Sequence, residues 1–382
     1  MNLPSLSQKI AFPESYTFDD LLLLPDYADF TRDDVDLSTN LTPEITLKLP
    51  LISSPMDTVT MSEMAIHLAK NGGLGVIHRN LSIENQAAEV SKVKNFETWK
   101  NTDSLASLDL KNRLQVAAAV GIGADMQERV EKLVEAGVDL LIVDSAHGHS
   151  KGIIEAVKFI KSTYPNTPIM AGSIATYEGA LALIEAGADV LRVGIGPGSI
   201  CTTRIVTGMG VPQLTAVSEV CRAAKPAGVK VIADGGIKQI GDMAKALAVG
   251  ADCVMLGSML AGYDESPGQL IEVNDRKYKT YRGMGSIGAM KDGSNSRYGQ
   301  GLDPKKMVAE GIEALVPYKG EVDNFLSQIQ GGLRGSFFYT GSRNMLDFHQ
   351  KTRFVKLTGA GLKESHPHSV SIRDAGASYF GG

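Results

Sequence analysis

Lys132-Leu-Val-Glu-Ala-Gly-Val-Asp-Leu-Leu-Ile-Val143 decides the fold, because the chain repeats it twice more in altered form. The second copy is Ala182-Leu-Ile-Glu-Ala-Gly-Ala-Asp-Val-Leu-Arg-Val193, and the third is Lys245-Ala-Leu-Ala-Val-Gly-Ala-Asp-Cys-Val-Met-Leu256. Each copy reads as a helix end, a glycine C-cap and a short apolar run. A strand that is apolar on both parities is buried on both faces, as in a parallel sheet covered by helices. Another strand candidate lies between successive copies, so the copies mark βα units two apart.

Working outward, eight apolar runs bounded by turn signals lie near Leu49–Ser53, Leu74–Ile77, Val116–Val120, Leu140–Val143, Ile169–Ala171, Val190–Val193, Val231–Ala233 and Val254–Leu256. Helical patterns such as Met126–Ala136 and Thr176–Ala186 separate most of them. Eight alternating units over roughly 210 residues predict an α/β fold, a closed (β/α)8 TIM barrel, with 1–382 as a single domain. A doubly wound open sheet is the fallback, weakened by the lack of G-x-G-x-x-G after the first strand. Residues 1–48, a polar junction at 95–112 and residues 262–382 read as lying outside the barrel, with 262–320 as a mobile flap region and a C-terminal extension beyond. Trp99, the one tryptophan, falls in the junction and reads as packing locally.

The net charge of −5 gives no general basic field for nucleic acid. Cys201, Cys221 and Cys253 are odd in number, widely spaced and without C-x-x-C, which argues against a disulfide framework or a zinc site. Free thiols fit a reducing cytoplasm. The first twenty residues read as no signal peptide, and no apolar run is long enough to span a bilayer, so no membrane partner is expected.

Barrel chemistry sits where strands end. There the first strand gives Ser53-Ser-Pro-Met-Asp57, the fourth Asp144-Ser-Ala-His-Gly-His149 and the fifth Gly172-Ser173. The sixth gives Gly194-Ile-Gly-Pro-Gly-Ser-Ile-Cys-Thr-Thr-Arg204, the seventh Asp234-Gly-Gly236 and the eighth Gly257-Ser258. The last two loops read as a phosphate cradle, with Asp234 placed to accept bonds from ribose hydroxyls; the bland alternative is that their glycines only make tight turns. The sixth loop exposes enough amides and carbonyls to ligate a monovalent cation or to grip phosphate through Ser199. Cys201 on that loop, with Thr202, Thr203 and Arg204 beside it, is the candidate nucleophile. Cys221 and Cys253 read as small buried hydrophobes. His147 and His149 form an H-x-H without an obvious third ligand. His366 and His368 flank a proline and read as solvated, and Arg297-Tyr298 alone would be an ordinary surface pair.

Together these segments resemble the IMP dehydrogenases. The resemblance is carried by Tyr16-Thr-Phe-Asp-Asp20, Ser53-Ser-Pro-Met-Asp57, the Gly194–Arg204 loop, Asp234-Gly-Gly-Ile237, Met255-Leu-Gly-Ser-Met259, Tyr281-Arg-Gly-Met-Gly-Ser286 and Ser296-Arg-Tyr-Gly299, in order from about residue 10 onward. It implies NAD-dependent oxidation of IMP to XMP, a step in guanine nucleotide biosynthesis. Cys201 would attack carbon 2 of the purine, hydride would pass to NAD, and the thioimidate would be hydrolysed with Arg297 as base, helped by Tyr298 and Thr203. Ser199, Gly235, Gly236, Gly257, Ser258 and Tyr281 would hold the phosphate, and Asp234 the ribose. Gly283, Met284, Gly285 and Glu310 would meet the base, with Ser54 and Met56 beneath it. Asp144, Ser145 and Gly194 would bind the dinucleotide. Potassium would sit on carbonyls of Gly196, Gly198 and Cys201, completed by Glu364, Ser365 and His366 of a neighbouring subunit, which implies a homotetramer.

The chain departs from the family twice. Only residues 95–112 stand where most members insert paired regulatory CBS modules, and Ser173 stands where Asn is common. Three other readings stay open: a GMP reductase, which would lack the Arg-Tyr flap pair; an FMN-dependent barrel enzyme, which would not need Cys201; and a nucleotide-binding protein without catalysis.

Overall fold

The computed structural model describes residues 5–97, 105–301, 303, 305–373 and 376. Eight parallel strands form one sheet: β1 (Leu51–Ser53), β2 (Gly75–Ile77), β3 (Val116–Val120), β4 (Leu140–Asp144), β5 (Ile169–Ile174), β6 (Val190–Val193), β7 (Lys230–Asp234) and β8 (Cys253–Leu256). Neighbours in sequence are neighbours in space, and β8 pairs with β1. The remaining seam is closed by a parallel bridge between Ile52 and Leu74, so the sheet is a barrel, as the three copies of the repeat predict. The repeat glycines Gly137, Gly187 and Gly250 have φ of 87°, 98° and 127°, a turn that a side chain would strain.

Between the strands run α1 (Ser62–Lys70), α2 (Ile83–Lys94), α3 (Met126–Glu135), α4 (Lys151–Thr163), α5 (Tyr177–Glu185), α6 (Gln213–Ala224) and α7 (Ile240–Val249). Ser82 and Thr176 cap α2 and α5 by accepting from the amides of Asn85 and Gly179. One parity of the strands packs under the helices. The other fills the barrel: Ile52, Val76, Ala117, Ala119, Leu140, Ile142, Met170, Val190, Ile232, Cys253 and Met255 form a separate inner cluster. Leu41, Ile45 and Leu47 join it from a hairpin (Thr39–Thr42 with Ile45–Leu47). Gln115, the residue before β3, donates to the Glu44 carbonyl at 2.9 Å, which places this hairpin as a plug at the strands' N-terminal end.

Two sequence readings need correction. Residues 262–382 do not simply follow the barrel, because α8 (Val322–Tyr339) packs against α7 and α1 and completes the helical ring. Gly332 lets α8 approach closely, since a Cβ there would stand 2.7 Å from Ile240. The flap region is therefore an excursion between β8 and α8. Gly172-Ser173 likewise lies inside β5 rather than after it.

The excursion carries an antiparallel sheet of β9 (Leu270–Val273), β10 (Arg276–Arg282) and β11 (Glu313–Pro317). Lys279 of β10 is buried and donates to the carbonyls of Tyr263, Asp264 and Ser266 at 2.9, 3.2 and 2.6 Å, pinning this sheet to the chain leaving β8. Trp99 lies outside the described residues, and of the junction 95–97 and 105–112 are described. None of the described helices is long and apolar enough to cross a membrane.

Candidate active site

The inward parity of the strands explains why polar groups meet at the C-terminal end of the barrel. Asp144 is two residues beyond Ile142, Arg192 two beyond Val190, and Asp234 two beyond Ile232, so all three point where the inner cluster stops. Register brings Asp144, Gly172 and Arg192 level across β4, β5 and β6. Gly172 makes the level possible, because a Cβ there would stand 2.4 Å from the Arg192 carbonyl oxygen. Arg192 is 1% exposed and donates to Asp144 at 2.5 Å and to the Ser145 carbonyl at 3.3 Å. Its Nε stands 3.8 Å from Asp234 and has no hydrogen-bond partner among the described residues. Burial pushes the Asp234 carboxyl above its usual range, and Arg192 opposes that shift.

Arg192 was not singled out from sequence, although a signal existed. The strand ends of the three repeats read Leu-Ile-Val, Leu-Arg-Val and Val-Met-Leu, and a lone arginine in a buried apolar triplet needs a charged partner. Asp144 and Asp234 supply it.

One cavity opens above this layer, lined by groups from the ends of several strands and from the flap. Asp234, Gly235, Gly236, Gly257 and Ser258 form one side, with Ser199 facing them from the cysteine loop. Tyr281 of β10 reaches in behind, its hydroxyl 4.0 Å from the Met56 sulfur; burial pushes its phenol up to about 12, and Ser199 and Ser258 oppose that shift. Ser54 and Met56 close the floor, where a Cβ on Gly257 would stand 3.4 Å from the Ser54 hydroxyl and 3.3 Å from the Met56 sulfur. Gly283, Met284 and Glu310 line the opposite wall.

The cysteine loop is braced from below by Arg204, which donates to the carbonyls of Ile195 (3.1 Å) and Val211 (2.6 Å). Gly194, Gly196 and Gly198 line the cavity, and Cys201 Sγ lies 3.2 Å from the Thr203 hydroxyl and 3.7 Å from the Glu310 carbonyl. Cys201 is half-buried, whereas Cys221 and Cys253 are buried. Burial pushes the Cys221 thiol up to about 12 and the Cys253 thiol well above its usual value, so at neutral pH neither is a nucleophile. The Gly198 carbonyl closes a turn onto the Cys201 amide at 3.1 Å; the loop's own hydrogen bonds leave the Gly196 and Cys201 carbonyls available.

Across the cavity stands the flap turn Ser294–Tyr298. Arg297 lies 14% exposed and ion-pairs with Asp144, sharing one carboxylate oxygen with Arg192, and its carbonyl accepts from Ala146 at 3.2 Å. Both Arg297 and Tyr298 line the cavity. Tyr298 packs against Gly285, where a Cβ would stand 2.8 Å from its ring, and burial raises its phenol. An isolated Arg-Tyr pair would be solvated; here the barrel rim supplies the carboxylate that holds it.

Other residues singled out from sequence fall elsewhere. Gly285 stands behind Tyr298 instead of on the cavity, and Asp144 and Ser145 lie beneath its lining, the Ser145 hydroxyl donating to the Gly172 carbonyl at 2.8 Å. Glu364, Ser365 and His366 are exposed near the C-terminal end and do not line the cavity. His147 and His149 are exposed with ring centroids 6.4 Å apart. Among the described residues no group of three or more His, Cys, Asp or Glu could hold a metal ion. Ser173 lines the cavity, as do Pro55, Ala146 and Lys238, none of the last three marked from sequence.

Comparison with known proteins covers nearly the whole chain. The family described as IMP dehydrogenase / GMP reductase domain matches residues 15–368. An inosine-5'-monophosphate dehydrogenase of Borreliella burgdorferi is 48% identical over 393 residues, spanning 94% of this chain and 97% of that protein. Proteins of the same name from Staphylococcus saprophyticus and Staphylococcus aureus are 42% and 40% identical. Each of these two alignments covers 96% of this chain and 98% of the relative, and runs over 478 positions against a chain of 382 residues.

Proposed function

The chain belongs to the IMP dehydrogenase / GMP reductase family, and from that premise we propose that it oxidises IMP to XMP with NAD, a step in guanine nucleotide synthesis. The observation that carries this reading is the single cavity in which Cys201 faces a phosphate cradle from one side and Arg297-Tyr298 from the other. In this reading the cradle of Ser199, Gly235, Gly236, Gly257, Ser258 and Tyr281 holds the nucleotide phosphate, and Asp234 accepts from its ribose. Gly283, Met284 and Glu310 position the purine over Ser54 and Met56. The Cys201 sulfur adds to carbon 2 and its proton is released; the hydrogen on that carbon leaves with its electron pair. NAD supplies the acceptor for that hydride. Water then adds to carbon 2 of the thioimidate, the carbon–sulfur bond breaks, and the thiol is restored.

Asp144 supports a division of this cycle into two halves. Its carboxylate is the acceptor a dinucleotide ribose would use beside Gly194, and in this structure Arg297 takes it instead. Dinucleotide and flap thus occupy it by turns: the open flap serves hydride transfer, and the closed flap brings Arg297, Tyr298 and Thr203 to the water. A guanidinium acts as base only in a closed, dry site, and the buried environment around Tyr298 is of that kind.

A potassium ion fits the cysteine loop in part. Carbonyls of Gly196 and Cys201 are available to it, Gly198 keeps a second lone pair, and Glu364, Ser365 and His366 of another copy would complete the site. Such an ion would hold the loop in shape. Exposed Ile205 and Met209, 87% and 62% accessible beside the same loop, give an assembly apolar surface to cover, in keeping with a homotetramer. The longer Staphylococcus alignments support the absence of regulatory modules between β2 and β3, and three free cysteines support a cytoplasmic location.

The test is NADH production from IMP and NAD, first in potassium and then in sodium buffer. Potassium-dependent NADH with XMP as product is expected. A folded, IMP-binding protein that makes no NADH but consumes NADPH with GMP would instead be the reductase of this family.

A further inference from the structure

Arg79, two residues beyond β2, takes no part in the chemistry described above. Its Nη1 donates to the Ser296 hydroxyl at 3.0 Å, on the turn that carries Arg297 and Tyr298. The guanidinium lies across the end of β3, where Gly121 gives it room: a Cβ on that residue would stand 3.0 Å from Cζ and Nη1. Among the described residues Arg79 makes no ion pair. Burial and the nearby Arg297 charge lower its pKa to about 10. A half-buried arginine set beside another arginine without a carboxylate of its own is a poor packing element. What it does contribute is a charge-assisted hydrogen bond to the flap, stronger than a neutral one.

The surroundings show where this bond acts. The root of the flap is anchored separately: Arg282 pairs with Asp57 at 2.6 Å and Asp292 at 2.8 Å, and Asn80 donates to Asp57 at 2.9 Å. Those contacts end before Ser294. Beyond it the turn meets the barrel rim through Arg79–Ser296, Arg297–Asp144 and the Ala146 amide on the Arg297 carbonyl. The Asp144 contact is the one a dinucleotide displaces. Arg79 grips the neighbouring residue and touches no group assigned to either ligand.

We propose that Arg79 is the latch of the closed flap, a positioning residue that holds the Ser294–Tyr298 turn against the rim during hydrolysis. This rests on the two-step reading above. It carries an opposed signature. Weakening the latch slows hydrolysis because the flap is less often closed. It also strengthens dinucleotide binding to the covalent intermediate, because the competitor for Asp144 is weaker. A residue that merely supported the fold would not move these two quantities in opposite directions.

The experiment is stopped-flow NADH formation by the full chain, with NAD varied far above saturation. In Arg79→Met the rate and amplitude of the NADH burst should stay within about twofold. The steady-state rate should fall about tenfold, and inhibition by excess NAD should set in at a concentration lower by a similar factor, the loss of one hydrogen bond to a charged group. Arg79→Lys should recover part of both effects. Ser296→Ala, which removes only a hydroxyl, should reproduce the phenotype and carries the test alone if Arg79→Met does not fold. Equal slowing of burst and steady state, or unchanged inhibition by NAD, would overturn the latch. No NADH from the unaltered chain would instead overturn the reading on which it rests.

Discussion

The barrel wall of the cavity and the flap wall are held by different means. On the barrel side, strand register sets Asp144, Gly172 and Arg192 on one level, and the inner cluster beneath them is fully buried. On the flap side, side-chain and backbone contacts to the rim hold the turn from Ser294 to Tyr298, and one of them, Arg297 to Asp144, uses the carboxylate proposed above for the dinucleotide ribose. The wall that the proposed cycle keeps fixed is made of paired backbone. The wall that it moves is made of contacts that can each be exchanged for another.

Perturbations of the two walls should therefore fail differently. The largest effect belongs to the barrel side: Cys201→Ser should cut NADH formation by about a thousandfold or more while IMP binding remains measurable by calorimetry. An active serine variant would remove the nucleophile. Next comes the flap, where Arg297→Ala should slow hydrolysis by about a hundredfold to a thousandfold and leave hydride transfer nearly unchanged. A normal NADH burst followed by slow turnover is the trace to look for, and equal slowing of both phases would erase the distinction between the walls.

A smaller effect lies at the seam between them. His78 is 2% exposed, and burial drives its pKa from 6.5 down to about 4 against the attraction of Asp57 and Glu89. The unfolded chain thus binds the proton more tightly, so stability is full above pH 6.5 and declines as pH falls toward 4, by about 3 kcal/mol at most. Its Nδ1 accepts from the Asn80 amide at 3.1 Å, a bond that His78→Asn can keep. Urea unfolding across this pH range should show a shallower acid slope in that variant; an unchanged slope would place the proton uptake elsewhere. Smallest is Gly285→Ala, whose Cβ would meet the Tyr298 ring at 2.8 Å. It should lower hydrolysis about tenfold through displacement of Tyr298, with the burst intact. Loss of IMP binding instead would return Gly285 to the purine wall.

The barrel was legible because burial on both faces leaves a local signature: apart from Arg192, every residue of the strand-end triplets in the repeats is apolar, and the glycines between helix and strand are forced by φ. The eighth helix was not, because a long excursion separates it from β8 and Gly331, Gly332 and Gly335 dilute its pattern. Within the site, residues on the loops that follow strands could be marked from sequence, since strand ends face the cavity in this architecture. Arg192 escaped because it sits inside a strand, and the Ser145 hydroxyl, marked for the dinucleotide, donates to the Gly172 carbonyl of β5 in a contact that no local pattern announces. The pairing of Arg297 with Asp144 depends on how a loop folds back from the far end of the chain, which no local pattern encodes.

The excursion between β8 and α8 leaves and rejoins the barrel at one place: the Lys319 amide donates to the Gly262 carbonyl at 2.9 Å, the Asp264 amide to the Gly320 carbonyl at 2.9 Å, and Tyr263 bridges Gly320. Its two ends are thus clasped before any of its length is used. In evolutionary terms it is a cassette: what lies between the clasps can be lengthened, shortened or replaced without asking the barrel to refold. The barrel's part of the cavity can in this way be inherited intact while the part that the excursion supplies, Tyr281, Gly283, Met284, Arg297, Tyr298 and Glu310, is rewritten in a single exchangeable segment.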